Sequence, residues 1–238
     1  MSKNNRLKRE AKHYKNCEIK PTDVISYEQN KNKLEAITET QRQYISSLFH
    51  DEFVIGCGSA GVGKTYIASR VAAQLYMSDK TIEHLILTRP NVEAGEKMGY
   101  LPGEIDEKYA PYLVPFEKGL KAELGNKYQS DLYRRIFPKP LAYMRGETFD
   151  NSIVMLDEAQ NTTITQMKMF ITRIGINSRM FITGDEKQSD IRGENGLEWL
   201  INQIIKQNLP YDIVEFTDRD CVRSGLCKNM LRLIENEI

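Results

Sequence analysis

The chain has 238 residues, of which 40% are hydrophobic and 28% charged, so its composition is that of an ordinary globular domain. The chain has 33 lysines and arginines and 33 aspartates and glutamates, so its net charge is zero. This balance excludes nonspecific electrostatic binding of nucleic acid by the protein's overall charge. No apolar run approaches the roughly 18 residues of a membrane span, and the charged first residues predict no secretory signal.

The cysteine and histidine pattern argues against a zinc site and against a disulfide framework. The four cysteines, at positions 17, 57, 221 and 227, form no Cys-x-x-Cys pair, and the chain has three histidines. Cysteines with this spacing are typical of a reducing compartment, so we expect a cytoplasmic protein.

Charge is concentrated at the start of the chain. Residues 1–20 contain seven basic and two acidic side chains. Such a segment buries little apolar surface, so we expect residues 1–30 to form a disordered basic arm ahead of a folded domain over residues 31–238. The arm is either a solvated tail or an extension that contacts RNA, and both readings stay open.

From about residue 36, apolar strands alternate with amphipathic helices. The predicted helices lie at about 39–49, 63–77, 162–174 and 197–205 and from about 225, and the predicted strands at 53–55, 84–88, 153–156, 179–183 and 213–216. Strands that are apolar on both faces are typical of a parallel sheet flanked by helices, so the prediction is a three-layer α/β fold.

Residues 89–150 interrupt this alternation and predict an insertion of short helices and loops. They hold six of the twelve tyrosines and six of the eight prolines. Aromatic and basic side chains interleave here as on surfaces that stack single-stranded nucleic acid, although the tyrosines could equally pack a small satellite core. The candidates for such a surface are Arg89, Tyr100, Tyr109, Tyr112, Arg134, Arg135, Tyr143 and Arg145.

A phosphate-binding loop, or Walker A motif, lies between the first predicted strand and its helix. The pattern G-x-x-x-x-G-K-[ST] is matched in full by Gly58, Ser59, Ala60, Gly61, Val62, Gly63, Lys64 and Thr65. The glycines let the backbone amides curl around a phosphate, and the helix adds its positive amino-terminal end. We expect Lys64 to reach the β- and γ-phosphates of a nucleotide and the Thr65 hydroxyl to bind Mg²⁺.

Two further segments place polar groups at the ends of apolar strands. Asp157 and Glu158 follow the strand at 153–156, where ligands of open α/β sheets bind. Asp157 is the second candidate metal ligand, and Glu158 the candidate base for an attacking water, which favours hydrolysis. Gln188 follows the next strand and is expected to sense the γ-phosphate or the water. No Asn-Lys-x-Asp element for guanine is present, which favours ATP over GTP.

The chain resembles the PhoH-like family of P-loop ATPases. The segments that carry this resemblance lie at 58–65, 88–103, 141–146, 157–163, 166–170, 172–175 and 182–188, and the resemblance extends over roughly residues 38–225, most of the chain. The resemblance implies a RecA-like core similar to that of superfamily 1 helicases, ATP hydrolysis, and links to RNA metabolism and phosphate starvation. It also implies that Gln41 reads adenine and that Arg223 acts as an arginine finger, although Ser224 stands where the family has histidine.

The single phosphate-binding loop sets an expectation about assembly. A helicase of this superfamily closes two RecA-like units on one nucleotide, and this chain has room for one unit. We therefore expect a homo-oligomer, with a hexameric ring as the working hypothesis, in which Arg223 reaches a neighbour's nucleotide. Two functions stay open: an ATPase that remodels single-stranded RNA or DNA, and an ATP-dependent switch that recruits a partner such as an RNA-processing nuclease.

Overall fold

The computed structural model describes residues 33–90 and 105–222, without the side chains of residues 105–112. The predicted basic arm, the predicted helix from about 225 and Arg223 therefore lie outside the described residues. The described residues from Leu34 onward belong to one compact unit. No helix among the residues that the structure describes is long and apolar enough to cross a membrane.

Six strands form one parallel sheet in the order β3-β2-β4-β5-β1-β6. Their bounds are β1 (Phe53–Gly58), β2 (His84–Thr88), β3 (Ile136–Pro138), β4 (Ser152–Leu156), β5 (Arg179–Gly184) and β6 (Asp212–Phe216). The carboxyl ends of β4, β5 and β1 lie side by side, because β5 pairs with both of the others. Residues that follow these three strands are therefore neighbours in space.

Helices cover both faces of the sheet. They are α1 (Glu39–His50), α2 (Lys64–Ser78), α3 (Ile105–Leu124), α4 (Asn126–Asp131), α5 (Ile164–Ile171) and α6 (Gly196–Gln207). One buried cluster joins α1, α2, the described part of α3 and α4 to one face, and a second joins α5 and α6 to the other. The predicted α/β class, a parallel sheet flanked by helices, is confirmed.

Local capping explains where several helices begin and end. The Thr38 hydroxyl accepts the Gln41 backbone N–H at the start of α1, and Thr163 and Gln166 form a capping box at the start of α5. Helix α5 ends at Ile171, earlier than predicted; beyond it the Arg173 backbone N–H donates to the Phe170 carbonyl (2.9 Å), and the Met169 carbonyl accepts the Arg173 guanidinium (3.0 Å).

The segment predicted as short helices and loops has more regular structure than its sequence suggested. Helix α3 is 20 residues long and contains Pro111 and Pro115, residues that usually break a helix. Strand β3 is a sixth strand that the pattern did not predict. It pairs only with β2, and this edge position tolerates Pro138, which has no N–H to donate.

Candidate functional site

The predicted phosphate-binding loop forms the turn between β1 and α2, at the carboxyl-terminal edge of the sheet. Gly58, Gly61 and Gly63 have φ angles of 107°, 75° and 89°, in the left-handed region that favours glycine. A Cβ atom on Gly58 would lie 2.0 Å from the Phe216 carbonyl oxygen, so that position also lacks space for a side chain. The backbone is thus curled as the motif requires for presenting amides to a phosphate.

Lys64 begins α2 and is held beneath the curl of the loop. Its ammonium donates hydrogen bonds to the carbonyl oxygens of Gly58 and, at 2.8 Å, Ser59. Burial lowers the pKa of Lys64, and the negative charges of Asp185 and Asp157 oppose that shift. A cation, a helix amino terminus and a set of curled amides therefore converge on one small region, which suits an anionic ligand.

Asp157 is a hub between two neighbouring strands and the loop. One of its carboxylate oxygens accepts hydrogen bonds from the hydroxyls of Thr65 and Thr183, both at 2.6 Å. Thr183 lies near the end of β5, the neighbour of β4 in the sheet, so its hydroxyl reaches Asp157 from the adjacent strand. The two predicted metal ligands, Thr65 and Asp157, are thus in direct contact.

Glu158 follows Asp157 in a strained backbone conformation. Its φ is 54° and its ψ is 40°, left-handed values that are uncommon for a residue with a side chain. The half-buried carboxylate accepts a hydrogen bond of 2.6 Å from the Gln160 side-chain amide. Backbone strain of this kind clusters at functional sites, where surrounding contacts enforce it.

Gln188 and Gln41 lie near the loop but are arranged differently from each other. The Gln188 side chain is exposed in the turn after β5, and its carbonyl oxygen lies 3.5 Å from the Gln160 amide nitrogen. Gln41 is buried; its side chain donates to the Val62 carbonyl (2.9 Å) and accepts the Ile37 N–H (2.7 Å). The Gln41 amide therefore joins α1 to the phosphate-binding loop.

The end of β6 packs against the same loop. The Val222 N–H donates to the Gly61 carbonyl (3.2 Å), and the Ser59 hydroxyl donates to the Asp218 carboxylate. Val222 immediately precedes Arg223, which lies outside the described residues. The chain segment that leads to the predicted finger is thus attached to the loop of its own subunit.

The basic and aromatic candidates of residues 89–150 do not gather on one described surface. Arg89 follows β2 and Tyr143 and Arg145 follow β3, at the same edge as the phosphate-binding loop, whereas Arg134 and Arg135 precede β3 at the opposite edge. Glu147 pairs with Lys139. The side chains of Tyr100, Tyr109 and Tyr112 lie outside the described part of the chain.

Two site residues escaped the sequence analysis, Thr183 and Gln160. Both are nearly inaccessible to solvent, with 2% and 1% of their surface exposed. Thr183 points to the same face as Asp157 because β5 is parallel to β4, and that pairing becomes evident only in the sheet. Gln160 stands two residues after Glu158, within the segment 157–163 that carries the family resemblance.

The arrangement of oxygen atoms fits a magnesium–nucleotide complex. Magnesium binds one or two protein oxygens and takes its remaining ligands from water and phosphate. Thr65 and Asp157 supply a hydroxyl and a carboxylate oxygen at the mouth of the loop. Among the described residues, no group of three histidine, cysteine or acidic side chains could hold a metal ion by itself. A phosphate-bound metal therefore suits this site better than a metal held by protein alone.

Comparison with known proteins identifies the family. Curated proteins with similar sequences include a PhoH-like protein of Bacillus subtilis (41% identity over 84% of this chain and 63% of that protein) and protein PhoH of Escherichia coli K12 (40% over 82% and 56%). A PhoH-like protein of Mycobacterium tuberculosis H37Rv is 38% identical over 90% of this chain and 61% of that protein. The chain thus spans less than two thirds of the length of these relatives.

A solved structure also aligns with the chain, the Pif1 helicase from Candida albicans. The alignment has a TM-score of 0.39 and 11% identity, and covers 77% of this chain and 40% of the helicase. The family assignment rests on sequence instead, since the sequence model described as PhoH-like protein matches residues 33–235. The chain therefore belongs to the PhoH-like protein family.

Proposed function

We propose that this protein hydrolyses ATP with Mg²⁺ and couples that reaction to single-stranded nucleic acid, with RNA as the first candidate. The observation that carries the ATPase proposal is the contact of Asp157 with both Thr65 and Thr183, next to Glu158 and the phosphate-binding loop. Hydroxyl, carboxylate and curled amides at one edge of a parallel sheet are the groups that phosphoryl transfer from a nucleotide needs.

The roles of the residues follow from their positions. The amides of residues 58–65 and the Lys64 ammonium would bind the β- and γ-phosphates. To do so, Lys64 would replace its hydrogen bonds to the loop carbonyls with hydrogen bonds to phosphate oxygens. Thr65 and Asp157 would hold Mg²⁺, which would neutralise negative charge on the phosphates. Gln188, exposed on the turn beside Gln160, is proposed as the γ-phosphate sensor.

Glu158 is proposed as the group that orients and deprotonates water. Its carboxylate would accept a proton while the water oxygen bonds to the γ-phosphorus and the bond to the β-phosphate oxygen breaks, which releases ADP and phosphate. The left-handed backbone at Glu158 sets the direction in which its side chain leaves the chain, and such preorganisation favours catalysis.

Steady-state ATP turnover with Mg²⁺, measured with and without single-stranded RNA, tests this proposal. Glu158→Gln should retain ATP binding and lose turnover by at least roughly 10²-fold, whereas Lys64→Ala should lose binding. Glu83→Gln, an exposed carboxylate before β2, is the matched control and should behave as the wild type. Wild-type turnover by Glu158→Gln would remove the assignment of the base.

A second function, an ATP-dependent switch, is supported by the distribution of basic groups. Arg134 and Arg135 lie at the sheet edge opposite Arg89 and Arg145, so these described groups do not line one groove. A switch would recruit a partner such as an RNA-processing nuclease. It predicts Glu158-dependent turnover that does not respond to RNA or DNA, whereas the first proposal predicts stimulation that falls as salt rises.

We also propose assembly into a homo-oligomer, with a hexameric ring as the working hypothesis. Arg223 would act in trans in such a ring, although the attachment of Val222 to Gly61 supports action in cis. ATP turnover of a mixture of the Arg223→Ala and Glu158→Gln proteins distinguishes action in trans from action in cis. Mixed rings regain activity only if one subunit's arginine serves its neighbour's nucleotide.

The proposed cytoplasmic location is supported by the free, buried thiols of Cys57 and Cys221.

A further inference from the structure

Gln160 is a buried side chain that connects two parts of the site, and no role has so far been given to it. One per cent of its surface is exposed. Its amide nitrogen donates to the Glu158 carboxylate (2.6 Å), and its amide oxygen accepts the Asp185 backbone N–H (3.0 Å). Its backbone carbonyl accepts the Ser189 hydroxyl (2.9 Å). Its amide nitrogen also lies 3.5 Å from the Gln188 carbonyl oxygen, so the residue contacts the loop of residues 185–189 at three points and Glu158 at a fourth.

The two ends of the Gln160 amide fix its orientation. A flipped amide would place its oxygen against the Glu158 carboxylate and its NH₂ group against the Asp185 N–H, so both contacts would become repulsive. Space for the amide comes from Gly184, where a Cβ atom would lie 2.8 Å from the Gln160 oxygen. The hydrogen bond to Glu158 is thus tied to the position of residue 185.

We propose that Gln160 is a positioning residue that holds the Glu158 carboxylate and couples its orientation to the loop of residues 185–189. This inference rests on the proposed ATPase function, in which the same loop carries Gln188 as the γ-phosphate sensor. One oxygen of the Glu158 carboxylate accepts the Gln160 amide. The other oxygen of that carboxylate accepts no hydrogen bond among the described residues. A displacement of the loop therefore moves Gln160 and, through it, the base.

The coupling is tested first without any need for turnover, by amide hydrogen exchange at Asp185. Glu158→Ala leaves the Asp185 N–H and its acceptor in place and removes only the far end of the connection. We expect exchange at Asp185 to become about fivefold faster, since one hydrogen bond that held Gln160 in place is lost. Glu83→Ala is the control and leaves this exchange unchanged.

The positioning role is tested by turnover of Gln160→Met and Gln160→Glu. Methionine keeps the length of the side chain without its hydrogen bonds, and we expect a kcat about 10- to 100-fold lower with the KM for ATP little changed, by analogy with groups that orient metal ligands. Glutamate keeps the acceptor for Asp185 but removes the donor to Glu158, so we expect its kcat to fall as in Gln160→Met.

The outcomes separate the two proposals. Unchanged exchange at Asp185 in Glu158→Ala overturns the coupling, whether or not the protein hydrolyses ATP. A wild-type kcat in both Gln160→Met and Gln160→Glu overturns the positioning role. Wild-type protein that turns over no faster than Glu158→Gln contradicts the ATPase function, and the exchange measurement still decides the coupling. Gln203→Met, on α6, is the matched control for the loss of a glutamine and should keep the wild-type kcat.

Discussion

Two buried threonines, Thr88 at the end of β2 and Thr183 in β5, are predicted to respond in opposite ways to the same substitution. Thr183 is 2% exposed, and its hydroxyl donates to the Asp157 carboxylate at 2.6 Å. Thr88 is fully buried, and its hydroxyl has no hydrogen-bond partner within the described ranges. Valine has the shape of threonine without the hydroxyl, so the two substitutions isolate the hydrogen bond.

The magnitudes follow from the partners. Thr183→Val removes a hydrogen bond to a charged, buried acceptor, and we expect the free energy of unfolding to fall by about 2 kcal/mol. Thr88→Val removes a buried hydroxyl that gains nothing in return, and we expect a rise of about 1 kcal/mol. For a chain of this length the difference corresponds to about 6–12 °C between the two midpoints of thermal unfolding.

Urea unfolding of both variants, followed by circular dichroism, measures this difference. Thr183→Ser, which keeps the hydroxyl and loses a methyl group, is the control for packing and should recover most of the loss. Equal destabilisation of the two valine variants would refute the reasoning, because it would mean that burial and not hydrogen bonding decides the effect. A stabilised Thr183→Val would instead mean that desolvation of the hydroxyl outweighs its bond to Asp157.

Three further predictions concern packing and titration. Gly58→Ala should abolish nucleotide binding and lower the midpoint of thermal unfolding, since its new Cβ lies 2.0 Å from the Phe216 carbonyl; wild-type affinity in a filter-binding assay would contradict this. Burial raises the pKa of the Cys57 thiol to about 12 from its ordinary 9.0, so the unfolded chain ionises first as pH rises. Unfolding free energy should therefore drop by about 1.4 kcal/mol between pH 8 and pH 10, and Cys57→Ala should remove this part of the loss in urea titrations. Gly119→Ala should destabilise the contact of α3 with α2, because its Cβ would lie 2.6 Å from that of Ser69; an unchanged urea midpoint would show that the helices can separate at no cost.

Much of the fold and the centre of the site could be predicted from local patterns. The strand before Gly58 and the helix after Thr65 are apolar and periodic over short windows, so the loop between them was placed correctly. Asp157 was assigned to the same edge because carboxyl ends of parallel strands meet there. Strand β3 was missed since three residues that include Pro138 do not form a recognisable strand pattern.

The α/β class, the phosphate-binding loop and the acidic pair Asp157 and Glu158 can be recognised from local sequence, because each depends on residues close together in the chain. The groups that touch that pair become evident only once the chain has folded. Thr183 reaches Asp157 only because β5 lies between β4 and β1, and Gln160 reaches Asp185 only across the gap between two strand ends. Such contacts depend on strand order, and a hydrogen bond between residues 25 or more positions apart leaves no periodic signal in the sequence.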